Sequence, residues 1–63
     1  MFEDIEITDK GKTTRGKYHV WSDRDGYPLV TVISEDGRAK TTQVGGSPPE
    51  VSAQRLLIEL AED

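Results

Sequence analysis

Cysteine and asparagine are absent from this chain of 63 residues, and histidine and tryptophan occur once each, as His19 and Trp21. Without cysteine there is no disulfide framework, no thiolate metal site and no cysteine nucleophile. Without asparagine there is no N-glycosylation sequon. A lone histidine cannot form a zinc site unless carboxylates complete it, and it leaves one ordinary base near neutral pH. Long apolar runs are missing too. Leu29 to Ile33 is the longest sheet-forming run and is far too short to cross a bilayer. The first residues are acidic, where a secretory signal needs a basic start followed by an apolar stretch. These absences predict a cytoplasmic, reducing setting with no membrane partner, no cofactor and no bound metal.

A domain of about 60 residues buries only roughly 60% of the surface its unfolded chain exposes, so stability is marginal unless something adds to it. Small domains add disulfides, a structural metal or self-association. With the first two removed, self-association is left, and a homodimer is expected. Twelve acidic against eight basic residues give a formal charge of −4, which opposes a surface built around phosphates. The charges come in blocks. Glu3, Asp4, Glu6 and Asp9 load the first nine residues, and Lys10, Lys12, Arg15 and Lys17 fill the next eight.

The pattern predicts one α+β domain: a small antiparallel sheet of three or four strands with a C-terminal helix on one face. Phe2, Ile5 and Ile7 mark an acidic first strand within residues 1–9, with Glu6 between the isoleucines. Residues 10–17, basic and with two glycines, read as a loop or strand edge. Residues 17–44 read as a β-meander. Lys17 to Ser22 ends in the turn signal Asp23-Arg24-Asp25-Gly26, and Tyr27 to Ser34, the strongest strand, ends in Glu35-Asp36-Gly37. Arg38 to Val44 is weaker, an edge on which Lys40 discourages unwanted pairing. Residues 47–62 read as the helix, with Ser47 and Glu50 as a capping box and a proline at the first helical position. Ala53, Leu56, Leu57, Leu60 and Ala61 fall at i, i+3, i+4, i+7 and i+8, the spacing of a core stripe.

Apolar residues exceed what one helix on one sheet face requires. Val51 and Ile58 lie seven positions apart, away from the leucine stripe and with Arg55 between them. In the strongest strand Leu29 and Ile33 point to one face, and Val30 and Val32 to the other. Two expectations compete. In one, Phe2, Ile5 and Ile7 cover the second sheet face, Trp21 packs in the core, and Val51 and Ile58 are scattered surface residues. In the other, the second helix stripe with Val51, Arg55 and Ile58, or the second sheet face with Trp21, meets a second copy or another protein, with Trp21 and Arg55 as anchors because aromatic residues and arginine are enriched where interfaces carry most energy.

The motifs of common chemistry are incomplete. Gly11-Lys12-Thr13 resembles the end of a phosphate-binding loop, yet Glu6 stands where its first glycine belongs. Asp23, Asp25 and Gly26 match three positions of a calcium loop whose first and twelfth positions would be Trp21 and Val32, neither of which ligates. Pro48, Pro49 and Glu50 remove amides and add negative charge at the helix start, which opposes anion capture. Ser22 and Ser34 at strand ends read as turn residues, and His19 as a structural one. An enzyme is not expected.

The expected function is a non-catalytic module for protein–protein interaction. One alternative is a nucleic-acid binder contacting through Lys10, Lys12, Arg15 and Lys17, with Arg24, Arg38 and Lys40 in the same half of the chain. Over residues 17–63 the sheet-then-helix outline is similar to that of the arm-binding domains of tyrosine-type integrases, which lay their sheet in the major groove. The other alternative is the class of small acidic phage and mobile-element proteins that bind and block a host complex, with Glu3, Asp4, Glu6 and Asp9 as the surface.

Overall fold

Three short turns lay the chain out as a meander. In the computed structural model, which describes residues 1–62, the elements are β1 (Glu3–Asp9), β2 (Lys12–Ser22), β3 (Pro28–Ser34), β4 (Ala39–Gln43) and α1 (Pro49–Glu62). The strands form one antiparallel sheet in the order β1-β2-β3-β4, followed by the helix in the expected order.

The basic stretch, read as a loop or strand edge, is strand from Lys12 onward. Lys10 and Gly11, at φ 54° and 78°, form a two-residue turn with both central residues left-handed, the type I′ geometry whose twist matches the flanking strands. Residues from Lys12 onward therefore pair directly with β1, Asp9 opposite Lys12 and Glu3 opposite Tyr18. In the second turn Asp23 Oδ1 accepts the amides of Asp25 and Tyr27, both at 2.9 Å, and Gly26 takes φ 86°. The third has Gly37 at φ 91°, with Gly37 N donating to Ser34 O at 2.9 Å and Ser34 N to Arg38 O at 2.8 Å. That is a hairpin of three loop residues closed by a left-handed glycine, one longer than the tightest Asp-Gly turn.

Strand parity decides the core. Val30, Val32 and Ser34 face α1 and are buried, as are Ala53, Leu56, Leu57 and Leu60 on the helix. Ile5, Ile7, Tyr18 and Val44 pack around that cluster. Ile5 and Ile7 thus lie under the helix and do not cover the second sheet face, because the register places Ile5 opposite Gly16 and Ile7 opposite Thr14. Gly16 makes the close approach of α1 feasible. A Cβ at that position would lie 2.5 Å from the Ile33 carbonyl oxygen and 3.1 Å from Leu57 Cδ1.

The helix begins at Pro49, and its first turn closes from Val51 N to Pro48 O at 3.0 Å. Its start is one residue later than a cap at Ser47 implies, so Pro49 is the proline in the first helical position. On the buried side, Ser52 takes a core place, whereas Ala61 is only half-buried.

Candidate interaction surface

With α1 on one face, the other sheet face carries no element of the described chain. Its rows follow from the register. Trp21 lies beside Leu29 and Leu29 beside Gln43; His19 beside Thr31 and Thr31 beside Thr41; Lys17 beside Ile33 and Ile33 beside Ala39. The face is apolar and aromatic toward the β2–β3 loop and charged toward the β1–β2 turn.

Trp21 is 40% exposed, so the expectation that it packs in the core fails. It shares parity with Leu29, not with Val30, and points away from the helix. Its indole Nε1 donates to Thr31 Oγ1 at 2.9 Å, and Thr31 Oγ1 lies 2.8 Å from Thr41 Oγ1. The Thr31 hydroxyl thus ties the indole to β3. Phe2 comes back over His19 with ring centroids 5.2 Å apart, and is itself 43% exposed. His19 Nδ1 sits 2.8 Å from the Met1 carbonyl oxygen. The histidine positions the first residues on this face, a structural role.

The four predicted interface residues do not form one surface. Trp21 lies on the open sheet face, whereas Val51, Arg55 and Ile58 belong to α1 on the opposite side. Val51 is 41% exposed and Arg55 exposed, but Ile58 is half-buried, lining a hollow with Ile7, Thr14 and Ala61. The helix stripe is therefore narrower than its spacing suggests.

The two charge blocks meet each other. Lys12 stands opposite Asp9, Arg15 opposite Glu6 and Lys17 opposite Asp4, and Arg15 Nε reaches Glu6 Oε2 at 2.7 Å. The predicted basic residues are also divided: Lys10 at the turn, Lys12 on the helix side, Arg15 and Lys17 on the open side. Opposite charges thus stand side by side across β1 and β2 at these three positions. A groove of about 640 Å³ at this end is edged by Asp4, Glu6, Arg15, Lys17, Ile33 and Glu35, a lining of mixed charge.

The remaining polar groups serve turns. Ser34 Oγ donates to Asp36 Oδ1, and Arg38 adds its backbone amide and its guanidinium at 2.8 Å. The Ser34 hydroxyl first, and then Arg38, hold the Asp36 carboxyl below its ordinary value. The Glu3 carboxylate, opposite Tyr18, holds the Tyr18 phenol above its ordinary value. Among the described residues no group of three or more His, Asp or Glu side chains is arranged to hold a metal ion, and no helix is long and apolar enough to cross a membrane.

Sequence reasoning had noted the two-sided strand but had not placed Phe2 beside His19, nor seen that Leu29 and Ile33 flank the aromatic residues. The signal was parity: His19 and Trp21 alternate in step, and the Asp23–Gly26 turn sets them against Thr31 and Leu29. No protein-family model, curated protein or solved structure matches this chain.

Proposed function

We propose that the chain is a non-catalytic binding module that contacts protein through its open sheet face, a second copy of itself being the first candidate occupant. The observation that carries this reading is the row of Phe2, His19, Trp21, Leu29 and Ile33 on a face that no helix or further strand of the described chain covers. Aromatic and aliphatic side chains there lose water on contact, and the threonines between them offer hydrogen bonds without a buried charge.

Size sets the strength of the contact. Four strands about 4.8 Å apart and five residues deep give a footprint of roughly 300 Å². Stable interfaces cover about 800 Å² per partner, so the contact belongs among weak, transient ones unless loops extend it. A cytoplasmic setting suits a chain free of cysteine. The nucleic-acid and host-blocking readings rank below this one, because cross-strand pairing of Asp4, Glu6 and Asp9 with Lys17, Arg15 and Lys12 neutralises both surfaces.

Sedimentation equilibrium from tens of micromolar to millimolar tests the proposal. The expected mass exceeds one chain and rises with concentration, and Trp21→Ala returns it to one chain. One-chain mass throughout for the unmodified protein rejects the second copy. Lysate capture with and without nuclease then separates a protein partner from nucleic acid.

A further inference from the structure

Strand β4 is one edge of the sheet, and the outer side of its backbone pairs with no strand among the described residues. The turn bonds show which groups face outward. Arg38 accepts from Ser34 N, and Val44 N donates to Pro28 O at 3.0 Å, so residues 38 and 44 bond inward to β3. Antiparallel ladders alternate with a period of two, so Lys40 and Thr42 bond inward as well. Ala39, Thr41 and Gln43 therefore turn their N–H and C=O groups outward. Beside them runs a groove of about 430 Å³, bounded by Lys40 and Thr42 on the strand and by Ser52, Arg55, Leu56 and Glu59 on α1.

We infer that this groove takes an extended peptide bearing acidic side chains, which adds to β4 as a fifth strand. The outward groups of Ala39, Thr41 and Gln43 supply the main-chain bonds, and alternate guest side chains turn toward the helix, where Lys40 and Arg55 stand. Lys40 Nζ is 3.3 Å from Glu59 Oε1, and the exposed Arg55 lines the same groove. The other edge of the sheet is built differently. Strand β1 has Glu3, Asp4, Glu6 and Asp9 within seven residues, a charge density that discourages a guest strand. Strand β4 has Lys40 alone among small and neutral side chains. Pairing of two β4 edges would set Lys40 and Arg55 near their counterparts, so like charge disfavours a second copy here. This surface is separate from the open sheet face, and its test is independent of that reading.

The probe is a blocked heptapeptide of alternating glutamate and valine, titrated into the ¹⁵N-labelled protein. Amide signals of Ala39, Thr41 and Gln43 are expected to shift and saturate while those of Lys40 and Thr42 move little, and a lysine–valine peptide of the same length is expected not to bind. Thr41→Pro removes an outward donor and leaves the inward bonds of residues 40 and 42, and it is expected to weaken binding by about tenfold or more. Should that variant not fold, Arg55→Glu is expected to weaken the acidic peptide by about tenfold on charge alone. Absence of shifts at millimolar peptide overturns the inference, as does equal binding of the lysine peptide. Shifts at these amides that grow with protein concentration and no peptide also overturn it, assigning the edge to a second copy.

Discussion

Trp21 Nε1 donates to Thr31 Oγ1 at 2.9 Å across the β2–β3 pair, and the same hydroxyl lies 2.8 Å from Thr41 Oγ1 on β4. One threonine thus ties three strands on the face away from the helix and fixes the ring that dominates it. Thr31→Val keeps the shape and removes that hydroxyl. The expected cost is about 1 kcal/mol in urea unfolding, with a displaced indole N–H resonance. Trp21→Ala is expected to cost about 1–2 kcal/mol, because the ring is already 40% exposed. A loss of roughly 3–5 kcal/mol is the signature of a core aromatic and would contradict this placement.

Gly16→Ala tests the close approach of β2 to the β3 backbone and, less severely, to Leu57 on the helix. The added methyl meets the Ile33 carbonyl oxygen at 2.5 Å and Leu57 Cδ1 at 3.1 Å, and the oxygen belongs to a backbone paired on both sides. The variant is expected to lose about 2 kcal/mol by overpacking. Gly45→Ala, whose Cβ meets nothing within 4 Å, is expected to change stability far less. Equal effects in thermal or urea unfolding would remove the special role of Gly16.

Acid should weaken the β3–β4 hairpin through Asp36. Its carboxyl titrates below its ordinary value because the Ser34 hydroxyl and Arg38 favour the charged form. A depressed folded value means that the contribution is complete above the unfolded value of 3.8 and is lost as pH falls through the folded one. Side-chain NMR is expected to show a low titration midpoint for Asp36 that rises in Ser34→Ala. A midpoint unchanged by that substitution would assign the effect to Arg38 alone.

The paired charge blocks predict little affinity for nucleic acid. Because Asp4, Glu6 and Asp9 stand opposite Lys17, Arg15 and Lys12, low-salt gel retardation with DNA or RNA is expected to show no shift. A salt-sensitive shift that disappears when Lys10, Lys12, Arg15 and Lys17 become alanine would restore that alternative. A double-mutant cycle on Glu6 and Arg15 is expected to show little coupling, since both ends are exposed.

The strongest elements were legible because several signals coincide in them. Tyr27–Ser34 combines β-branched residues with glycine turns on both sides, and the leucines of α1 hold the helical period, so the fold class and the helix side of the core emerge from the residues alone. The stretch from Lys10 leaves loop and strand edge both open because its composition, lysine, glycine and threonine, is that of a loop. The register opposite an acidic β1 turns it into strand, and the left-handed Lys10-Gly11 pair is a weaker turn signal than Asn-Gly. Parity explains the rest. Ile5 and Ile7 went under the helix and Trp21 to the open face because a shift of one residue exchanges the faces, and composition does not fix that shift. For the candidate surface the residues offer two alternatives, Trp21 on the sheet and Val51, Arg55 and Ile58 on the helix, and these lie on opposite sides of the molecule.

The central claim, that the open sheet face is the contact surface, is tested most directly by an NMR concentration series from tens of micromolar to millimolar. Signals of Phe2, the Trp21 indole, Leu29, Thr31 and Ile33 are expected to shift and broaden together as concentration rises, while those of Val51 and Ile58 stay fixed. Concentration-dependent shifts at Val51, Arg55 and Ile58 with an unchanged Trp21 indole would contradict it, and would give the contact to the outer face of the helix.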